Sequence, residues 1–302
     1  MNFKLITLVA MLAVSGVAHA KVADSNDNTN FAGADTGDMF ASLVSVSNNA
    51  SYTVDLGLRL DQFTAASALV NADGVKLVWD LANGSFSDLS AVSTGLGAQM
   101  QTLNYGSVYS TFAAPAVIGA SDLKFDVKAM DGTPTFAPSA GTNRYLSTST
   151  ASSITATNGQ VFAMDNWDPI LNASNNDTTN STHGTDLNAA GANMFDNGDA
   201  MNVNFAAGGD QWNGATSFTS TGAVSPTAIN GGELSFYFLT NTSSNTASQA
   251  AVTKYAGVWR FDTASAQLSY ATAPVPEAET YAMMLAGLGL VGFMVSRRRK
   301  PA

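Results

Sequence analysis

Cysteine is absent from this 302-residue chain. That excludes disulfides, thiolate nucleophiles and cysteine metal ligands, although it does not identify the compartment. Histidine is nearly as scarce: there are two, His19 and His183. A zinc site needs several Cys or His ligands and has no candidates. A Ser-His-Asp triad in the body would have to use His183, whose Thr, Asn and Gly neighbours fit a solvated loop residue better. Cations are thin as well. Between Lys21 and Pro276 stand 8 Lys plus Arg against 21 acidic residues, a balance of 8 − 21 = −13. A basic patch for nucleic acid is therefore not expected.

What remains is rich in Asp, Asn, Ser, Thr and Gly. These residues hydrogen-bond to their own backbone in caps and turns and fit helix interiors poorly, so the composition favours strands. Period-two alternation supports this. Val54, Leu56, Leu58 and Leu60 alternate with Asp55, Gly57, Arg59 and Asp61; Leu123, Phe125 and Val127 alternate with Lys124, Asp126 and Lys128. Such runs predict antiparallel strands with one face buried and one wet. Further strands are expected at Val75–Leu81, Ser107–Phe112, Gln160–Met164, Asn202–Phe205, Leu234–Thr240 and Tyr255–Phe261, punctuated by Asp73-Gly74, Asn83-Gly84 and Asp131-Gly132. One short helix fits Asp61–Asn71. From Ser139 to Asn230 the polar stretches Asn172–Asn193 and Gly208–Thr227 read as long surface loops. The expected fold is all-β: an antiparallel, jelly-roll-like sandwich over residues 31–274, after a flexible leader at 21–30.

The two ends read as addresses. Lys4, an apolar run from Leu5 to Val17, and Ala18-His19-Ala20 make a secretory signal peptide, cut before Lys21. The Sec translocon and signal peptidase are the implied partners. A permanent anchor is the alternative, but the run is short for one. At the other end, Pro276-Glu277-Ala278-Glu279 precedes an apolar run from Tyr281 to Val295 and the cations Arg297, Arg298, Arg299 and Lys300. As a helix the run would be roughly 22 Å long at about 1.5 Å per residue. Pro276 suits a first helical turn, Glu277 and Glu279 suit the positive end of its dipole, and the cations suit the other. A basic cluster directly after an apolar helix stays in the cytoplasm, which leaves the body outside. Ala282, Ala286, Gly287, Gly289 and Gly292 give a thin helix that another membrane helix can approach.

Pro276-Glu277, the Gly-rich run and the terminal Arg297–Lys300 cluster together resemble the PEP-CTERM sorting domain, over about residues 275–302. The third motif position, proline in that family, is Ala278 here. The resemblance implies recognition by an exosortase, a membrane-embedded protease that removes the tail. It also implies a Gram-negative bacterium that makes exopolysaccharide, and a final place at the cell surface or in the extracellular matrix.

Sites in the body are less defined. Asp165 and Asp168 flank Trp167, an arrangement compatible with glycoside hydrolysis, yet Asp also makes turns. Asp24, Asn26 and Asp27, and separately Asp196 and Asp199 around Gly198, crowd hard oxygens as calcium requires; Asx turns account for them equally. Trp167 and Trp212 lie beside Asp and Gly in loops and are the candidates for stacking on a glycan, whereas Trp79 and Trp259 belong to apolar strands and the core. The expectation is a non-enzymatic structural or adhesive surface protein with no obligatory cofactor. A carbohydrate- or calcium-binding module and a polysaccharide-active enzyme are the rivals.

Overall fold

The computed structural model describes residues 37–45, 47–48, 50–131, 139–162, 181–182, 189–195, 228–229 and 232–273. The strands are β1 (Asp38–Ser45), β2 (Ala50–Arg59), β3 (Lys76–Asp80), β4 (Ser85–Asp88), β5 (Thr102–Leu103), β6 (Lys124–Asp131), β7 (Arg144–Ser149), β8 (Ala189–Ala190), β9 (Ala192–Phe195), β10 (Ala228–Ile229), β11 (Glu233–Thr240), β12 (Ala251–Asp262) and β13 (Gln267–Ala271). The helices are short: α1 (Leu60–Ala65), α2 (Ser67–Val70), α3 (Val108–Phe112), α4 (Pro115–Ile118) and α5 (Asn158–Phe162).

Eleven strands share one sheet, ordered β4-β3-β13-β12-β11-β7-β6-β1-β2-β9, with β10 beside β6. Every ladder in it is antiparallel. β5 and β8 pair in parallel as a small separate ribbon. The long sheet curls until its two ends meet. Trp79 of β3, second in the path, donates its indole N–H to the Leu56 carbonyl of β2, ninth in the path, at 2.9 Å. Phe125 of β6 faces Phe261 of β12 at 6.2 Å between ring centres.

A bulge makes this closure work. Asp38 pairs with Arg59 and Phe40 with Asp55, so β2 carries extra residues between them. A bulge turns carbonyls out of the ladder, and each then needs another donor. Asp55 O receives the Tyr105 hydroxyl at 2.7 Å, Leu56 O the Trp79 indole, and Gly57 O the Gln101 N–H at 2.9 Å. Gly57 has φ +70°, and a Cβ there would meet Leu103 Cδ2 at 2.7 Å, so glycine is required.

Alternation sorts side chains as expected on β12. Tyr255, Trp259 and Phe261 point into the core, and Arg260 and Asp262 point to solvent. Phe63 of α1 adds to them, meeting Phe236, Tyr255 and Tyr270 at 5.4–5.6 Å in edge-on geometry. Trp79 and Trp259 are fully buried 5.3 Å apart, as anticipated. Aromatic pairs of this kind contribute about 0.5–1.5 kcal/mol each beyond burial of area.

Several expectations are corrected. The polar faces of β2 and β6 are wet only at their ends: Lys124 is exposed and Arg59 half-buried, but Asp55 and Asp126 are fully buried and Lys128 nearly so. Ser107–Phe112 is helix α3, because Val108, Tyr109 and Phe112 share one helical side and all three are buried. Tyr109 and Phe112 there both pack on Tyr52 at 5.6 Å. Gln160–Phe162 belongs to α5, not to a strand. The Asp61–Asn71 helix is two pieces, interrupted at Ala66 with ψ near 7°. The supposed loop Asn172–Asn193 contributes β8 and the start of β9. The alternation does not mark β1, β4, β5, β7, β10 or β13. Asn202–Phe205 and both end segments lie outside the described residues.

Replacing Trp79 with Phe should leave the Leu56 carbonyl unpaired in the core. The expected loss is at least about 1–3 kcal/mol, the cost of a buried unsatisfied group. Urea unfolding of the two proteins measures it; equal midpoints would contradict the closing role of the indole.

Candidate functional site

The described part of the chain ends at a tightly held point, next to the sorting tail. Thr272 receives the Val75 N–H on its hydroxyl at 2.9 Å, and that hydroxyl donates to Ala72 O at 2.8 Å. Its own N–H donates to Val75 O at 3.1 Å, and Gly74 donates to Ala273 O at 2.9 Å. Gly74 supplies the φ of +76° that this turn needs. β13 is thus bonded to its neighbours up to three residues before Pro276.

A second feature is the buried polar face of β2, β1 and β6. Thr53, Ser42 and Asp126 stand in one cross-strand row; Asp55, Phe40 and Lys128 stand in the next. Lys128 and Asp126, two apart on one face, form an ion pair. Burial pushes the Asp126 carboxyl up to about 7, against the pull of the Lys128 charge, and it pushes the Lys128 ammonium down. Burial also raises Asp55, the nearby Asp38 charge raises it further, and the Gly57 N–H opposes both from 2.8 Å. Raised carboxyls suit general acids. These are fully buried, however, and so give a polymeric substrate no access. Nothing in the alternating pattern distinguishes a buried polar face from a wet one.

The third feature is a groove of about 410 Å³ on the outer face of β3, β13 and β12, lined by Lys76, Val78, Arg260, Asp262, Gln267 and Ser269. Arg260 pairs with Glu233. Asp262 turns to its own hairpin, accepting from Ala264 N at 2.9 Å and Ser265 Oγ at 2.6 Å, which hold its carboxyl below the usual range. The groove offers hydrogen bonds; among the described residues the aromatic residue that lines it is Phe261, whose side chain is buried, as are those of Trp79 and Trp259.

Ala18, Ala20, Lys21, Asp24, Asn26, Asp27, Asp165, Trp167, Asp168, Asp196, Asp199, Trp212, Pro276, Glu277, Ala278 and the Arg297–Lys300 cluster all lie outside the described residues. Among the described residues, no three acidic, His or Cys side chains form a group that could hold a metal ion. No helix among them is long and apolar enough to cross a membrane.

Residues 274–300 match the family model of the PEP-CTERM protein-sorting motif. The tail is therefore a PEP-CTERM sorting motif, and it starts one residue after Ala273. A motif of this kind points to export through a C-terminal membrane-anchored sorting signal, with processing by an exosortase-type protease. Neither a curated protein nor a solved structure matches the chain.

Two outcomes follow for the buried pair. Lys128→Met alone should push the Asp126 carboxyl higher still and keep it protonated at neutral pH, at a cost of about 1–3 kcal/mol for the buried polar group left unmatched, whereas Asp126→Leu with Lys128→Met should cost less. Denaturant midpoints compare them. The pH dependence has a defined sign. A carboxyl at about 7 when folded and at the ordinary 3.8 when unfolded binds its proton more tightly in the native state. Its contribution is full below about pH 4 and is lost as pH rises through about 7. Asp126→Asn should flatten the stability profile across that window; an unchanged slope would refute the assignment.

Proposed function

We propose that this chain is an exported structural or adhesive protein of the cell surface or biofilm matrix, not an enzyme. The observation that carries the reading is the sorting motif at 274–300, joined to a β-rich body whose last strand is fixed up to Ala273. In this reading, residues 1–20 direct the chain to the Sec translocon and are removed by signal peptidase. The run 281–295 then holds the precursor in the inner membrane with Arg297–Lys300 in the cytoplasm. Each cation costs about 2.5–3.5 kcal/mol at the bilayer centre, so four together act as a stop. An exosortase reading Pro276-Glu277 releases the body to the surface or matrix, with exopolysaccharide as its surroundings. The body, residues 31–274, is taken as a jelly-roll-like sandwich closed from the single curled sheet.

The outer groove supports a second reading, a carbohydrate-binding module. Lys76, Arg260, Gln267 and Ser269 offer the mixed donors and acceptors that sugar hydroxyls use.

Fractionation tests the first reading. Wild-type protein should appear outside the inner membrane, beginning at Lys21 and lacking the tail. Pro276→Ala with Glu277→Ala should accumulate as tail-bearing precursor in the membrane fraction. Release of that variant at the wild-type level would sink the reading.

A further inference from the structure

The tail leaves the body beside a cluster of exposed apolar side chains. Among the described residues, the large hydrophobic side chains that are exposed are Leu69 (45%), Leu89 (59%) and Val92 (68%). All three border the exit. The Ala72 N–H closes α2 onto Leu69 O at 3.1 Å, and the Ala72 carbonyl receives the Thr272 hydroxyl. Leu89 N donates to Lys76 O at 2.8 Å. Ala91, between Leu89 and Val92, donates to Gly74 O at 3.0 Å, and Gly74 in turn donates to Ala273 O.

The loop that carries Leu89 and Val92 is pinned. The Asp88 carboxylate accepts from Ser90 N at 3.1 Å, Ser93 Oγ at 3.2 Å, Thr94 N at 2.7 Å and Thr94 Oγ1 at 2.9 Å. The rim is therefore a fixed surface. Beside it stands exposed Lys76, whose ammonium has no carboxylate partner among the described residues, and exposed Asp73.

Chain length says what this rim faces. Seven residues, 274–280, separate Ala273 from the apolar run that starts at Tyr281. Eight steps of extended chain span at most about 26–29 Å. While that run sits in a bilayer, the Ala273 end of the body cannot move further than this from the membrane surface.

We propose that Leu69, Leu89 and Val92 form a membrane-docking rim. They rest in the interfacial zone of the leaflet that the tail emerges from, and Lys76 lies toward anionic headgroups. The occupant is the lipid surface itself. Docking fixes the orientation of the tethered precursor and presents the segment after Ala273 at a constant height above the bilayer. The proposal rests on the sorting-tail reading and goes beyond it.

The lack of cysteine makes the test direct. Single variants of the full chain, Leu69→Cys, Leu89→Cys and Val92→Cys, carry an environment-sensitive fluorophore. Ala82→Cys serves as the reference, exposed past the far end of β3 and roughly 20 Å away at about 3.3 Å per strand residue. The chains are reconstituted in phosphatidylethanolamine–phosphatidylglycerol vesicles that contain brominated lipid. Labels at 69, 89 and 92 should be quenched several-fold more than the label at 82, and detergent should abolish the difference. Equal quenching at all four positions in chains that pellet with the vesicles would overturn the rim and leave the tail reading intact. Chains that stay in the supernatant would overturn both. A rim label that is blue-shifted but unquenched, in a chain that runs as a dimer, would assign the rim to a second copy and overturn lipid docking.

Discussion

One hydrogen bond between distant strands sets the shape of the body. The Trp79 indole and the Leu56 carbonyl belong to strands seven places apart in the sheet order. Once they meet, the concave side of the sheet becomes an interior. Phe236, Trp259 and Tyr270 can then pack on one another, at 5.4–6.3 Å between rings. The bond exists because β2 bulges. A regular ladder would have used the Leu56 carbonyl within the sheet, and the bulge leaves it free for a donor from the opposite wall. The net worth of such a bond is only about 1 kcal/mol, but the penalty for leaving a buried carbonyl unmet is larger. Closure is therefore tolerated only with the donor in place: without the indole, the closed sheet would bury an unmet carbonyl.

The other side of β1, β2 and β6 follows a different logic. Its polar groups are buried, and burying the Asp126–Lys128 pair consumes much of what the pair's attraction returns. We read this face as a register device. A one-residue slip of β6 would carry Phe125 and Val127 out of the aromatic core and push both charges into it. Apolar strands buried on both faces would tolerate that slip far better.

Legibility in the sequence followed range. The sorting tail was readable because its chemistry is contiguous: Pro276-Glu277, an apolar run and four cations occupy one short stretch. β2, β3, β11 and β12 were readable because alternation is local too. Alternation reports which residues share a face; it is silent on what covers that face, so by itself it places Asp55, Asp126 and Lys128 in water. α3 was misread because a five-residue run containing Val, Tyr and Phe satisfies both periods, and its contact with Tyr52, more than 50 residues earlier, decides between them. The β5–β8 ribbon joins residues 87 apart through two-residue strands and leaves no local trace.

The bonds at Thr272 and Ala273 also have a mechanical meaning. β13 lies between β3 and β12, hydrogen-bonded on both sides, and the chain continues from its C-terminal end. Any pull on the tail, from a membrane, a protease or a moving cell, enters the body along the axis of an internal strand. Force in that direction loads the two ladders in shear, so their bonds share it at once. The same tether attached to edge strand β4 would peel its ladder one bond at a time. Resistance to such a pull is set by the rate of forced unfolding and not by equilibrium stability. The tail is thus attached to a strand that is hydrogen-bonded on both sides, not to an edge.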